Sequence, residues 1–270
     1  MSYAPVLIGA GYAGWTFLKR TAAAQQKTMM QGSDVQREQQ YFRDRIGRVN
    51  TADDLLADRR LLSVALGAFG LEGDINNKAF LKKILEDGTI DPGALANRLA
   101  DKRYLEFTKA FGFGDFSKPS TKLSDFADQI LARYQASRFE VAVGEQDPDL
   151  RLALNAQREL GALAKRSISS DGKWYLILGS TPLRKVVQTA FGLPSSFSSL
   201  DIDRQLATLK DLSNRYLGTS DPAKFADGAQ TEKLVQLFLT RAQLGSSAAR
   251  SGQNTALTLL QQRTSLSRYI

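Results

Sequence analysis

The chain has 270 residues, 43 % of them apolar and 24 % charged, enough for a sizeable core in one large domain or two smaller ones. It contains no cysteine and no histidine, which excludes disulfides, thiolate metal sites, cysteine nucleophiles and Ser-His-Asp triads, and leaves a metal only carboxylates and carbonyls, the ligands that suit calcium or magnesium. The formal charge is +8, a basic balance that suits nucleic acid, acidic lipid or an acidic protein partner.

In chain order, the first apolar window runs from Tyr3 to Leu18. Glycines interrupt it, and it is too short to span a bilayer. No basic residue precedes it and Lys19-Arg20 follow it, the reverse of a secretory signal, so a cytoplasmic location without a classical signal peptide is expected. Inside it, GAGYAG (Gly9–Gly14) has the glycine spacing of a dinucleotide loop, but no second apolar strand follows, and the stretch reads as a lead-in. The segment 1–32, rich in Ala and Gln with a sparse apolar face, is expected to be variable or mobile.

Helical spacing then takes over. SDVQREQQYFRDRIGRV places Val35, Gln39, Phe42, Ile46 and Val49 on one stripe. TADDLLADRRLLSVALGAFGL places Leu55, Leu62, Leu66 and Phe69 at helical intervals, with Val64, Ala65 and Ala68 widening the face. Thr51 is a good N-cap, and Asp54 three residues on resembles an acidic capping box. LEGDINNKAF has a faint likeness to a calcium loop but lacks its acidic spacing and its closing glutamate. TKLSDFADQILARYQASRFEVAV repeats the stripe with Leu123, Phe126, Ile130 and Tyr134. Asp147-Pro148 opens a helix bearing Leu150, Leu154, Leu160 and Leu163. Two later helices are predicted to end at Gly218 and Gly245, the favoured residue just past a helix terminus. FEVAV and WYLIL are short strand-like runs, each equally a helix turn. The expected fold is an all-α, multi-helix globular bundle of ten to thirteen helices with little or no strand.

Ala-Phe-Gly occurs three times, ending at Gly70, Gly112 and Gly192, each time followed by a large apolar residue: Leu71, Phe113 or Leu193. The pattern reads as a helix end. Glycine takes the left-handed conformation, the next residue folds back on the last turn, and alanine before phenylalanine lets another helix approach. Repeated helix–AFG–turn units are therefore expected, with Asp58 and Asp101 as caps in the shared lead-ins ADRR and ADKR.

Charge is uneven. Lys233 to Ile270 holds five basic residues and no acidic one, and Arg151 to Lys185 holds seven against Glu159 and Asp171. The acidic clusters Asp53/Asp54/Asp58, Glu72/Asp74, Glu145/Asp147/Asp149 and Asp201/Asp203 suit caps and solvated helix starts. Trp15 and Trp174 suit either an interface anchor or the core, and the core is the expectation for Trp174. No catalytic, cofactor-binding or metal-ligating residue is assigned, and no cofactor is expected.

Four blocks together resemble a bacterial domain family of unknown function: YFRDRIGRVNTADDLLADRRLLSVALGAFGLEGDINNKAFLKKILEDG, LANRLADKRYLEFTKAFGFGD, RFEVAVGEQDPDLRLALNAQREL and PLRKVVQTAFGLPSSFSSLDIDRQL. That family is found mainly in alphaproteobacteria, and its genes often neighbour flagellar genes. The similarity covers roughly residues 35–245. It implies association with the flagellum or its assembly, and no known activity. The expected organisation is a helical family domain over 33–245, in two halves with a soft boundary near 145–170, and a basic carboxy-terminal helix over 246–270. The expected function is that of a non-enzymatic, flagellum-associated structural, assembly or export-related protein whose partner is a flagellar component or a second copy of itself. The alternative is a cytoplasmic regulatory or adaptor protein that binds nucleic acid or an acidic partner through basic surface.

Overall fold

A computed structural model describes residues 3–246, so the basic segment beyond residue 246 lies outside the described residues. Among the described residues the chain forms thirteen α-helices and no strand. They are α1 (Gly11–Met30), α2 (Ser33–Ile46), α3 (Ala52–Ala57), α4 (Arg59–Gly67), α5 (Lys78–Asp87), α6 (Leu95–Arg98), α7 (Arg103–Phe111), α8 (Phe126–Gly144), α9 (Pro148–Ala164), α10 (Ser170–Gly179), α11 (Thr181–Ala190), α12 (Ile202–Leu217) and α13 (228–246). FEVAV and WYLIL are both helical, in α8 and α10.

The helix starts follow the local chemistry. Thr51 and Asp54 close the start of α3 as a reciprocal capping box. Asp58 accepts the N–H groups of Arg60 and Leu61 at the start of α4, and Asp147 accepts those of Asp149 and Leu150 ahead of Pro148. Asp101 accepts the Arg103 N–H at 3.0 Å. Two expectations fail. Leu123 is exposed, because Pro119 begins a 3-10 turn over Ser120–Lys122 that leaves Leu123 extended ahead of α8. Gly245 lies within α13 and does not terminate it.

The three Ala-Phe-Gly stretches each end a helix with glycine at positive φ: +69° at Gly70, +66° at Gly112 and +70° at Gly192. Gly70 and Gly192 build Schellman endings. Leu71 N–H reaches the Leu66 carbonyl at 3.0 Å, and Leu193 N–H reaches the Gln188 carbonyl at 2.9 Å. Gly112 builds the simpler left-handed ending, its own N–H bonding the Thr108 carbonyl at 2.9 Å. The phenylalanines point inward. Phe69 meets Phe107 edge-on at 5.5 Å, Phe107 meets Phe111 at 5.1 Å, and Phe111 meets Phe126 at 5.1 Å.

The buried side chains form two cores. One gathers Phe42, Leu62, Leu66, Ile84, Phe107 and Ile130, from α2 to the first half of α8. The other gathers Trp15, Leu18, Phe139, Leu160, Trp174, Val187 and Phe238, from α1, the second half of α8 and α9 to α13. The cores change over inside α8, between Tyr134 and Phe139, upstream of the 145–170 stretch. Helix α8 is consequently apolar on more than one face, and the amino-terminal helix joins the carboxy-terminal core.

A Cβ at Gly70 is expected to cost about 1–2 kcal/mol, the penalty of a left-handed residue with a side chain. Gly47 has negative φ and open space around it, so Gly47→Ala is expected to be neutral or slightly stabilising. Urea unfolding of Gly70→Ala and Gly47→Ala compares the two directly; equal midpoints would contradict the helix-end assignment.

Candidate interaction surfaces

The sequence directs attention first to cations, and the structure spends many of them on helix carbonyl ends. Lys122 Nζ donates to the Gly47 carbonyl after α2 at 2.8 Å. Arg103 donates to the Gly70 carbonyl after α4. Lys102 Nζ reaches the Asn97 carbonyl of α6 at 2.8 Å. Lys173, buried, donates to the Ala164 carbonyl of α9 at 2.9 Å. Arg241 donates to the Ala190 carbonyl of α11 at 2.6 Å and lies over the Tyr216 ring. The carbonyl end of a helix carries partial negative charge and unsatisfied acceptors, so a cation there is both bonded and electrostatically favoured.

The basic stretch Arg151–Lys185 is thinned in the same way. Arg158 makes a two-pronged pair with Glu140, at 2.7 and 3.0 Å, between α8 and α9. Arg166 pairs with Glu106 of α7 at 2.9 Å, and Lys173 is the cap just described. Arg241, one of the described cations of the carboxy-terminal cluster, is likewise committed. Sequence spacing carries no trace of these partners, because Arg241 lies 51 residues from Ala190 and Arg166 lies 60 from Glu106.

The other singled-out residues have structural surroundings. GAGYAG forms the turn into α1: Gly9 has φ +83°, and a Cβ on Gly14 would meet the Gly9 carbonyl oxygen at 2.6 Å. No strand precedes or follows it among the described residues. Trp15 and Trp174 are both fully buried. The Trp15 indole donates to Glu232 of α13 at 3.1 Å, beside Tyr12 and Lys19, and the Trp174 indole donates to the Ser220 carbonyl at 2.8 Å. Asp74 accepts from Tyr104 and Asn77. Among the described residues no three acidic side chains stand close enough to hold a metal ion. An open depression of about 500 Å³ on α2 is lined by Ser33, Gln36, Arg37, Gln39, Gln40 and Arg43, a shallow polar helix face.

Large apolar side chains do reach the surface where two loops are locked together. Gly88, after α5, and Gly114, after α7, let the two backbones touch: a Cβ on Gly114 would meet the Glu86 carbonyl oxygen at 2.3 Å. Asp115 then accepts the N–H and hydroxyl of Thr89 and the N–H of Ile90. This bonded junction holds Ile90 71 % exposed and Phe116 59 % exposed.

A family model described as a protein of unknown function (DUF1217) matches residues 68–230, more than half of the chain. The chain belongs to the DUF1217 family. The matched stretch begins at the first Ala-Phe-Gly and contains the other two. A crystal structure of protein AGR_C_984 from Agrobacterium tumefaciens is similar to this DUF1217 chain with a TM-score of 0.73 and 27 % identity, covering 89 % of this chain and 97 % of that one. No curated protein matches it. No described helix is long and apolar enough to cross a membrane.

The titratable groups give a pH profile. Asp54 is held below the usual carboxylate range, chiefly by the Asn50 N–H it accepts. Burial pushes Asp58 up, but the Tyr41 hydroxyl and two backbone N–H groups outweigh it and hold it low. Tyr104 is pushed up to about 12 by burial and then by its bond to Asp74. Tyr134 is pushed up to about 12 by burial, against the neighbouring Arg138, with Glu38 adding to the rise. Lowered carboxylates stabilise above their unfolded value near ~4 and lose that contribution as pH falls through the folded value; raised tyrosines stabilise below ~10 and lose it as pH rises toward ~12. With no histidine or cysteine, unfolding free energy is expected to be level from about pH 6 to 9 and to fall on both sides. Urea midpoints across pH test this, and a marked step inside the plateau would contradict it.

Proposed function

We propose that this chain is a non-enzymatic, flagellum-associated protein that works through protein–protein contacts in structure, assembly or export. The observation that carries the reading is the junction around Asp115. A soluble surface that fixes Ile90 and Phe116 outward on a bonded backbone presents a preorganised apolar contact, and preorganised apolar anchors are what protein interfaces use. The buried polar groups support it from the other side. Glu140 ties α8 to α9 and Lys173 closes the carbonyl end of α9, while Gln25 holds the Val6 backbone of the lead-in and Gln205 the Leu200 carbonyl ahead of α12, which is a scaffold's use of such groups. The flagellar part of the proposal rests on the sequence blocks shared with a bacterial family whose genes neighbour flagellar genes, an associational support.

The three Ala-Phe-Gly ends belong to this proposal as copies of one helix–turn unit. Their support is the common positive φ of the closing glycine. The alternative of nucleic-acid binding through basic surface loses support from the cations that cap helix ends, since each such cation is withdrawn from a phosphate contact.

The test is a pull-down with the full chain from cells that do and do not assemble flagella, scored by mass spectrometry and repeated with the double variant Ile90→Ser/Phe116→Ser. A flagellar component captured by the native chain and lost with the double variant is the expected result. Capture of no flagellar component, or equal capture by the variant, would overturn the reading at its partner or at its contact.

A further inference from the structure

Tyr41, on α2, carries two guanidinium groups on its ring. Arg45, one turn along the same helix, lies 4.8 Å from the ring centroid, and Arg60, from the first turn of α4, lies 3.6 Å from it. The Tyr41 hydroxyl donates to Asp58 at 2.7 Å, which fixes the ring in the seam between the two helices. Both arginines are exposed, and neither guanidinium has a hydrogen-bond or ion-pair partner among the described residues. Stacking occupies the face of a guanidinium and leaves its N–H edge outward, the edge that matches a carboxylate in two-pronged fashion.

The carboxylates of the neighbourhood are already in use. Asp58 caps α4 and receives Tyr41. Asp54 closes the box with Thr51. Asp53 takes Lys82 at 2.6 Å, and Asp44 takes the Gln40 amide at 2.8 Å. Two guanidiniums from different helices are therefore held against one ring, with Asp58 near Arg45 but with no carboxylate hydrogen-bonded or ion-paired to either.

We propose that Arg45 and Arg60, held by Tyr41, dock an acidic segment of a protein partner, each fork taking one carboxylate. The proposal rests on the protein-contact reading above and supplies a second, charged element beside the apolar junction. The local field favours sparse carboxylates over a phosphate backbone. Residues 41–60 contain five arginines and four aspartates, close to balance, whereas nucleic-acid affinity grows with the number of phosphates neutralised. Two oriented forks discriminate by geometry where net charge does not.

The probe is an octaglutamate peptide at low ionic strength, titrated into the full chain with guanidinium and amide signals followed by NMR. Saturable shifts at Tyr41, Arg45 and Arg60 are expected, with affinity falling about tenfold in Arg45→Gln/Arg60→Gln, the scale of one or two charge-assisted contacts. Arg60→Lys keeps the charge but loses the planar stack, so it is expected to weaken binding as well, at an unchanged melting temperature. No binding of octaglutamate, equal affinity in the variants, or tighter binding of a single-stranded oligonucleotide at these arginines would overturn the proposal. Repeating the pull-down with Arg45→Gln/Arg60→Gln separates the two readings. A partner kept by this variant removes the docking site and leaves the protein-contact reading standing, whereas no partner for the native chain removes that reading whatever the peptide does.

Discussion

A fold made of many short helices has many carbonyl ends to close, and that constraint organises this molecule. Each helix leaves its last carbonyls without intrahelical partners. A long helix presents that problem once; α3, α4, α6 and α7, at nine residues or fewer each, present it again and again. The chain answers with two devices. A left-handed glycine turns the backbone so that it caps itself, and a cation from another element reaches in. At Gly70 and at the Phe191–Gly192 end the devices coincide: Arg103 bonds the Gly70 carbonyl, and Arg241 bonds the Ala190 carbonyl while lying over Tyr216.

The second organising element is α8. Its first half, through Phe126, Ile130, Leu131 and Tyr134, belongs to one core; its second half, through Phe139, Ala142 and Val143, belongs to the other. Between the halves run polar ties at the surface: Arg138 to Glu38 and Asp34, Gln135 to Gln39, and Arg166 to Glu106. Each of these exposed or half-exposed ties contributes little by itself, on the order of 1 kcal/mol or less. The shared helix, with its continuous backbone ladder and two apolar faces, therefore supplies the coupling that the surface ties do not.

Local chemistry was legible in the sequence wherever it acts over a few residues. The Thr51/Asp54 box, the Asp147-Pro148 start and the left-handed glycines of Ala-Phe-Gly are written in adjacent letters, and helical spacing placed Phe42, Leu62 and Ile130 in the interior. Long-range partners left no such trace. Nothing near Arg241 announces the Ala190 carbonyl, 51 residues away, and nothing near Trp15 announces Glu232, 217 residues away. That pairing is why α1, whose own apolar face is sparse, nevertheless buries Trp15 and Leu18 completely: the face is completed by α8, α9 and α13. The candidate contact surfaces were hidden for the same reason. Ile90 and Phe116 lie 26 residues apart in sequence and look like ordinary core residues there, and Arg45 and Arg60 look like solvated charge until Tyr41 is seen between them.

The described cations of this DUF1217 protein thus go to carbonyl ends inside the fold, to carboxylate pairs such as Arg158–Glu140, and to exposed positions outside it. The measurement that tests this division most directly is the unfolding free energy of Lys173→Met and Arg241→Met set beside Lys185→Met, whose side chain is exposed. The account predicts losses of about 1–2 kcal/mol for each capping cation and a change within about 0.5 kcal/mol for Lys185. Equal effects at all three positions would contradict it.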